Sequence, residues 1–491
     1  MDDASLTKIK ADKALGRSLM RESALVAGEW VGGAERLEVD DPADGKVIGS
    51  VPKLPLAQVE RAIQAAADAF PAWSNTREFE RADILRKWAA LIDERLDALG
   101  ALLALENGKP FAEARGEVVY ANQFLKWFAS EAERLDGAVI PSPTGLDRIL
   151  TLRQPVGPVA AITPWNFPAA MITRKVAPAF AAGCTVVLKP ASATPFSALA
   201  LAELALQAGV PPGVFSVVTG DNRVIGPALT SSHLIRKLSF TGSTDVGRTL
   251  MAQCAPTLKR LSMELGGAAP LIVFDDADLD LAVEGTVKGK FRGSGQTCVC
   301  PNRIYVQAPL YDPYLEKLTA RVAALKVGAA FEPGVEIGPL IDAAGLDKVE
   351  DHVRRTVAAG GKVLTGGARH ERGGRFFQPT VLAGGEESLF RCEETFGPVV
   401  PVFRFETEAE AIALANASEY GLASYLFSDD LNRVMRVAKA IEAGMVGVNV
   451  GLMSNASNPF GGVKQSGFGR EGSIYGIDEY LQVKAITLGL R

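Results

Sequence analysis

Five cysteines in 491 residues are too few for a disulfide scaffold, and no pair of them has the CxxC spacing of half a zinc site. The three histidines, His233, His352 and His370, are too sparse for a His-rich metal centre, so no metal is expected. No apolar run approaches the ~20 residues that cross a bilayer. The opening MDDASLTKIKADKALGRSLM lacks the apolar centre of a secretory signal, and the expectation is a cytoplasmic protein without a membrane partner. Excess charge is also missing. With 52 basic and 57 acidic residues the net charge is −5, which gives no general attraction to nucleic acid. Hydrophobic residues at 47% and charged residues at 22% exclude a disordered or collagen-like chain.

What remains is an α/β protein. The first third has helical periodicity. In LAQVERAIQAAADAF, Val59, Ile63, Ala66, Ala67 and Phe70 share a face. A second stripe, from Phe79 to Leu105, carries Ile84, Leu85, Trp88, Leu91, Ile92 and Leu99, and Gly108 and Pro110 stop it. Beyond Arg153 the short apolar runs VGPVAAI, TVVLK, VFSVV and IRKLSF alternate with helix-length segments, the pattern of βαβ units on a parallel sheet. A second alternating block starts at Pro270. The fold class is therefore two tandem α/β lobes, a Rossmann-like one and a second, meeting near Glu264–Gly267. LDGAVIPSPTGLDRILTLRQP is expected to form a hairpin turning at Pro143–Gly145, and EYLQVKAITLGLR a strand. Lying outside the lobes, these two form a small β element suited to joining subunits in a homo-oligomer.

Several residues could carry chemistry, and each has an ordinary structural reading beside the chemical one. Cys298, in FRGSGQTCVC, follows Gly293 and Gly295, which allow a ligand close to the backbone. It is a nucleophile if a lowered pKa or a nearby base supplies thiolate, and otherwise a small buried hydrophobe. Glu264, in LSMELGGAAP, is a carboxylate among apolar neighbours and glycines, which raises its pKa toward a general base. The alternative is an ion pair. Asn166, on the stiff ITPWNFP loop between Pro164 and Pro168, can donate N–H to an oxyanion or simply hold a turn. LKPASATP and FTGSTDVG each follow a strand and open toward a helix, where α/β sheets hold cofactors. The first lobe has no GxGxxG fingerprint to strengthen that reading.

Taken in order, TPWNFP, LKPAS, FTGST, MELGG, GQTC, EETFGP and PFGG resemble the aldehyde dehydrogenase superfamily, and the resemblance runs from about Ala27 to the C-terminus. It implies a cofactor-binding domain over 1–132 and 153–264, a catalytic domain over 265–465, and an oligomerisation element from 133–152 and 478–491, in a dimer or tetramer. It also implies Cys298 as the nucleophile, Asn166 with the Cys298 N–H as oxyanion donors, and Glu264 as the base that hydrolyses a thioester. For the dinucleotide it implies Trp165, Asn166, Lys189, Pro190, Ala191, Ser192, Gly242, Ser243, Leu265, Glu394 and Phe396. Relatives that prefer NAD commonly carry a glutamate where this chain has Ser192, so NADP is the expected cofactor, with NAD as a second. AAMITRKVAPAFAAGCTVVLKPAS, KFRGSGQTCVC and REGSIYGIDEYL are most similar to the succinate-semialdehyde dehydrogenases. In those enzymes the residues matching Arg174, Arg292 and Ser454 hold a distal carboxylate. The implied small-molecule substrate is succinate semialdehyde. Glutarate semialdehyde is the alternative, since one methylene discriminates by only ~1–3 kcal/mol. An amino-aldehyde substrate ranks below both because two arginines would repel it. A cysteine hydrolase and an inactive binding homologue are the readings from other classes. Cys300, two residues past Cys298, is either a redox partner for it or a thiol packed behind the loop.

Overall fold

A computed structural model describes residues 3–489. Two sheets organise the chain, and it passes from one to the other between Glu264 and Ala269. In the first sheet, five parallel strands lie in the order Phe215–Val217, Val186–Lys189, Val159–Ile162, Lys237–Thr241 and Arg260–Glu264. The chain starts in the middle, steps out one way and returns to build the other side. The carboxyl ends of Val159–Ile162 and Lys237–Thr241 therefore flank a topological switch point, where α/β sheets open a crevice. Antiparallel strands extend both sides: Ala24–Val26 beside Phe215–Val217, with Glu29–Val31 outside it, and Gly467–Phe468 beside Arg260–Glu264. A reading of the whole chain as free of G-x-G-x-x-G is corrected by GFGREG at 467–472, which has that spacing but begins on this antiparallel edge and not at a strand-to-helix turn.

The second sheet runs Lys362–Thr365, Thr380–Ala383, Val399–Phe405, Pro301–Gln307, Ala269–Val273, Ala423–Phe427 and Met445–Val448. All its pairings are parallel except that of the first two. The hairpin Ala138–Pro141 and Asp147–Pro155 pairs as read from sequence, and Leu481–Gly489 adds antiparallel to its longer strand, from Leu481 opposite Pro155 to Gly489 opposite Asp147. The last two residues of the expected terminal strand lie outside the described residues.

Two helical expectations need correction. The helix Leu56–Ser74 buries Val59, Ala62, Ile63, Ala66 and Trp73, while Ala67 and Phe70 are only partly covered. The face turns because Trp73 seats edge-on against Phe180, 5.8 Å between centroids. The stripe from Phe79 to Leu105 is two helices, Glu78–Glu94 and Leu96–Asn107, parted at Arg95; Ile84 and Leu91 are partly covered. The second helix ends as read, on Gly108 at φ +84°. Among the described residues no helix is long and apolar enough to cross a membrane, and no cluster of His, Cys, Asp and Glu could hold a metal.

Candidate active site

The loop 163–169 leaves the central strand of the first sheet at the switch point and carries Trp165 and Asn166. With Thr241, Gly242, Ser243, Leu265, Cys298, Glu394 and Phe396 it lines a cavity of about 290 Å³. A second cleft shares Pro164, Trp165, Thr241, Gly242 and Ser243 with this cavity and continues past Lys189, Ala191 and Ser192. The sequence-predicted cofactor residues thus lie along one continuous groove, except Pro190, which is buried at the strand end and lines neither part. Ser243 stands at the N-cap position of the helix Thr244–Cys254, its hydroxyl making no capping bond. Within the lining, the hydroxyls of Thr163 and Thr241 and Asn166 Oδ1 are buried with no hydrogen-bond partner. Orphaned polar atoms at a crevice beside a helix N-terminus fit a nucleotide ligand.

Cys298 ends a loop in which Gly293, Ser294 and Gly295 have φ of +58°, +57° and +76°. Three successive left-handed residues favour glycine, and a Cβ at Gly295 would lie 2.1 Å from the Gly397 carbonyl oxygen. Ser294 tolerates the conformation with its hydroxyl donated to Gly338 O at 3.0 Å. On the other side, a Cβ at Gly267 would stand 2.7 Å from the Cys298 carbonyl oxygen, so only glycine lets the inter-sheet crossing pass behind the cysteine. Cys298 is half-buried and opens into the cavity. Burial and then the Glu264 carboxylate push its thiol pKa up, while Arg174 opposes them. The lowered pKa considered from sequence is therefore not the arrangement here, and the proton needs a base.

Glu264 is buried at the carboxyl end of its strand. Burial is the main cause that pushes its carboxyl up to about 8, and Arg174 pulls against it. One oxygen lies 3.4 Å from Arg174 Nη2, and the other has no hydrogen-bond partner. Asn166 donates through Nδ2 to Gln296 O at 2.9 Å, which ties the Asn loop to the Cys loop and leaves one N–H of the amide for another acceptor. Glu394 accepts weakly from Gly267 N–H at 3.4 Å, and burial pushes it up to about 7. Phe396, at φ +55°, meets Trp165 edge-on at 5.6 Å. Burial lowers Lys189 to about 8, against a smaller opposite pull from Asp221.

The three expected carboxylate ligands lie off this groove. Arg174 is buried between Glu471 and Glu264, over the Phe460 ring at 4.2 Å. Arg292 stacks on Phe167 at 4.6 Å, stands 4.0 Å from Glu113, and lines a separate cleft with Phe291 and Leu452. Ser454 is half-buried on the loop two residues past Leu452. Both arginines act on Tyr120, Arg174 more strongly, and burial raises the pKa of its hydroxyl. Cys300 is a free thiol like Cys298; it donates to Gly295 O at 3.3 Å and faces Lys290 Nζ at 3.7 Å.

Sequence reasoning passed over Glu471, Lys175 and Tyr120. Lys175 and Arg174 both pair with Glu471, whose carboxyl pKa falls because the two cations outweigh the cost of burial. Two consecutive cations in the otherwise apolar AMITRKVAPAFAA were a legible sign that a buried carboxylate must face them.

Comparison with known proteins adds to this geometry. The family model of the aldehyde dehydrogenase family matches residues 30–486. A glutarate-semialdehyde dehydrogenase of Pseudomonas aeruginosa is 56% identical over 474 residues, 96% of this chain and 98% of that protein. An NADP(+) succinate-semialdehyde dehydrogenase of Escherichia coli is 55% identical over 476 residues, 96% of this chain and 99% of its own. A crystal structure of an E. coli NADP-dependent enzyme superposes with a TM-score of 0.96 at 55% identity, covering 96% of this chain and 99% of that one.

Proposed function

The chain belongs to the aldehyde dehydrogenase family, and on that premise we propose that it oxidises succinate semialdehyde to succinate with NADP in preference to NAD. The observation that carries the reading is a single cavity joining Cys298, Asn166 and Glu394, with an unpaired oxygen of Glu264 buried close enough to raise the thiol pKa. Cys298 Sγ forms a bond to the aldehyde carbon as its proton passes to a base, and the free Asn166 N–H with the Cys298 backbone N–H receives the developing oxyanion. The hydride that leaves this carbon needs an acceptor, which a nicotinamide dinucleotide bound in the groove would supply. The groove residues would hold it: Lys189 and Ser192 at the adenosine end, Gly242 and Ser243 along the middle, Glu394 and Phe396 in the cavity that Cys298 lines. The thioester left on Cys298 is then hydrolysed by water that Glu264 deprotonates, releasing the acid and the thiol.

The distal carboxylate is assigned to Arg292, Arg174, Ser454 and the buried hydroxyl of Tyr120. Arg292 has the weaker internal partner, at 4.0 Å, and is the freer of the two guanidiniums to take a second carboxylate. Arg292→Ala raises KM for succinate semialdehyde about tenfold to a hundredfold, the cost of a charge-assisted bond, and leaves KM for an uncharged aldehyde within twofold. Initial rates across both substrates check this; equal effects on the two would remove the clamp. Glutarate semialdehyde is the second reading, favoured by the relative from P. aeruginosa, and the same assay ranks it.

For the cofactor, a 2′-phosphate meets Ser192 in place of a repelling carboxylate and can draw on the Lys189 ammonium. Because Lys189 titrates at about 8, it loses its charge as pH rises through that value in the free protein. KM for NADP therefore climbs above pH 8 while KM for NAD stays flat. Ser192→Glu lowers kcat/KM for NADP at least about tenfold by like-charge repulsion and spares NAD. Steady-state kinetics with both cofactors from pH 7 to about 9.5 test the pair.

The sheet of Ala138–Pro141, Asp147–Pro155 and Leu481–Gly489 exposes Val139, Ile140, Leu152, Val483 and Leu488, which supports its assignment as the oligomerisation element. The change of sheet at 264–269 supports a cofactor-binding domain over 1–132 and 153–264 followed by a catalytic domain to 465.

A further inference from the structure

The Asn166 loop is held from below by a part of the chain that the mechanism above does not use. Lys109 and Glu117 are 3% and 2% exposed, an ion pair of 2.5 Å in the protein interior. Taking two charges out of water costs several kcal/mol each, so such a pair persists where further hydrogen bonds fix both ends. Here those bonds all go to one loop. Lys109 Nζ donates to the Asn166 carbonyl at 2.7 Å and sits over the Phe167 ring at 4.2 Å. The second oxygen of Glu117 accepts from Ala169 N–H at 2.9 Å and Ala170 N–H at 3.3 Å, where the loop enters the helix Ala170–Ala182. Asn107 Nδ2 donates to the Trp165 carbonyl at 2.9 Å. Without these partners, buried main-chain groups of residues 165–170 would be unpaired.

The same segment also reaches the nucleophile. Glu113, one turn before Glu117 on the helix Phe111–Ala132, accepts from Gly293 N–H at 2.6 Å. The stretch from Asn107 to Glu117 thus anchors the loop that carries Asn166 and the loop that carries Cys298, and Asn166 bonds across to Gln296 between them.

We propose that Lys109, braced by Glu117 and assisted by Asn107, is a positioning residue that sets the Asn166 amide at the distance from Cys298 where it meets the oxyanion. The inference rests on the assignment of Asn166 as oxyanion donor. A buried ion pair could instead serve stability alone, and a double-mutant cycle separates the two roles. Purified Lys109→Met is compared with Asn166→Ala and with the double variant for kcat and for KM of NADP. The paired neutral replacement Lys109→Met/Glu117→Gln is run alongside, since it leaves no lone buried charge and keeps the test open if the single variant fails to fold. The expected result is a fall in kcat of tenfold or more, at most about the 10²–10³-fold of deleting an oxyanion donor, with KM for NADP within twofold. In the Asn166→Ala background the lysine replacement lowers kcat by less than twofold. An equal fall in both backgrounds, or no fall in either, overturns the proposal while leaving the Asn166 assignment intact. Asn166→Ala with full kcat overturns that assignment, and with it the role of Lys109.

Discussion

Cys298→Ala loses dinucleotide reduction by at least roughly 10³-fold, because a covalent nucleophile has no stand-in and only binding and oxyanion stabilisation survive. The neighbouring thiol cannot substitute: Cys300 is buried and hydrogen-bonded to Gly295 O behind the loop. Removing one sulfur from a half-buried position at a cavity wall should leave the melting temperature near that of the unmodified protein. Continuous absorbance of reduced cofactor, beside a thermal melt, reads both. A variant that folds and still reduces cofactor at an undiminished rate would exclude covalent catalysis at this sulfur.

Glu264→Gln separates the two halves of the reaction. Hydride transfer precedes the hydrolysis assigned to this carboxylate, so the variant forms up to one reduced cofactor per site and then slows by roughly 10²–10⁴-fold, the range of a lost general base. Rapid mixing shows the burst, and mass spectrometry of the stalled protein shows the acyl group on Cys298. The pH profile gives a second signature. The carboxyl sits at about 8, and only its ionised form takes a proton from water, so steady-state turnover in the unmodified enzyme rises with pH through that value and then levels. Glu264→Gln removes the inflection. Loss of the burst together with the steady-state rate would mean that Glu264 acts before hydride transfer, most directly on the thiol proton.

Much of this site was readable before any coordinates. The parallel strands declare themselves as short apolar runs, buried on both faces. Cys298 and Glu264 stand out because glycines beside them have a reason: the backbone at Gly267 must pass within van der Waals contact of the Cys298 carbonyl. Other features were hidden for definite reasons. The face of Leu56–Ser74 is set by Trp73 against Phe180, a partner more than one hundred residues on in sequence, and helical periodicity alone does not register that. The break at Arg95 has neither glycine nor proline to mark it. Lys109 and Glu117 look like ordinary surface residues of a helical region, and only tertiary packing turns them inward onto the Asn166 loop. Arg174 was read toward a ligand, and the chain places two of its own carboxylates there first, one of them across a separation that no local motif spans.

That last contact bears on how the molecule assembles during synthesis. Arg174 and Lys175 emerge from the ribosome as part of a helix that must go inside, yet their counter-charge on Glu471 arrives 296 residues after Lys175. The strand that seals the exposed edge beside Glu264, Gly467–Phe468, comes equally late. A nascent chain that has completed the first sheet has Glu264 beside Arg174, but it leaves Lys175 without its carboxylate and the β edge open until nearly its whole length is made. The groups that complete the first lobe are thus among the last to be synthesised, after every strand of the second sheet.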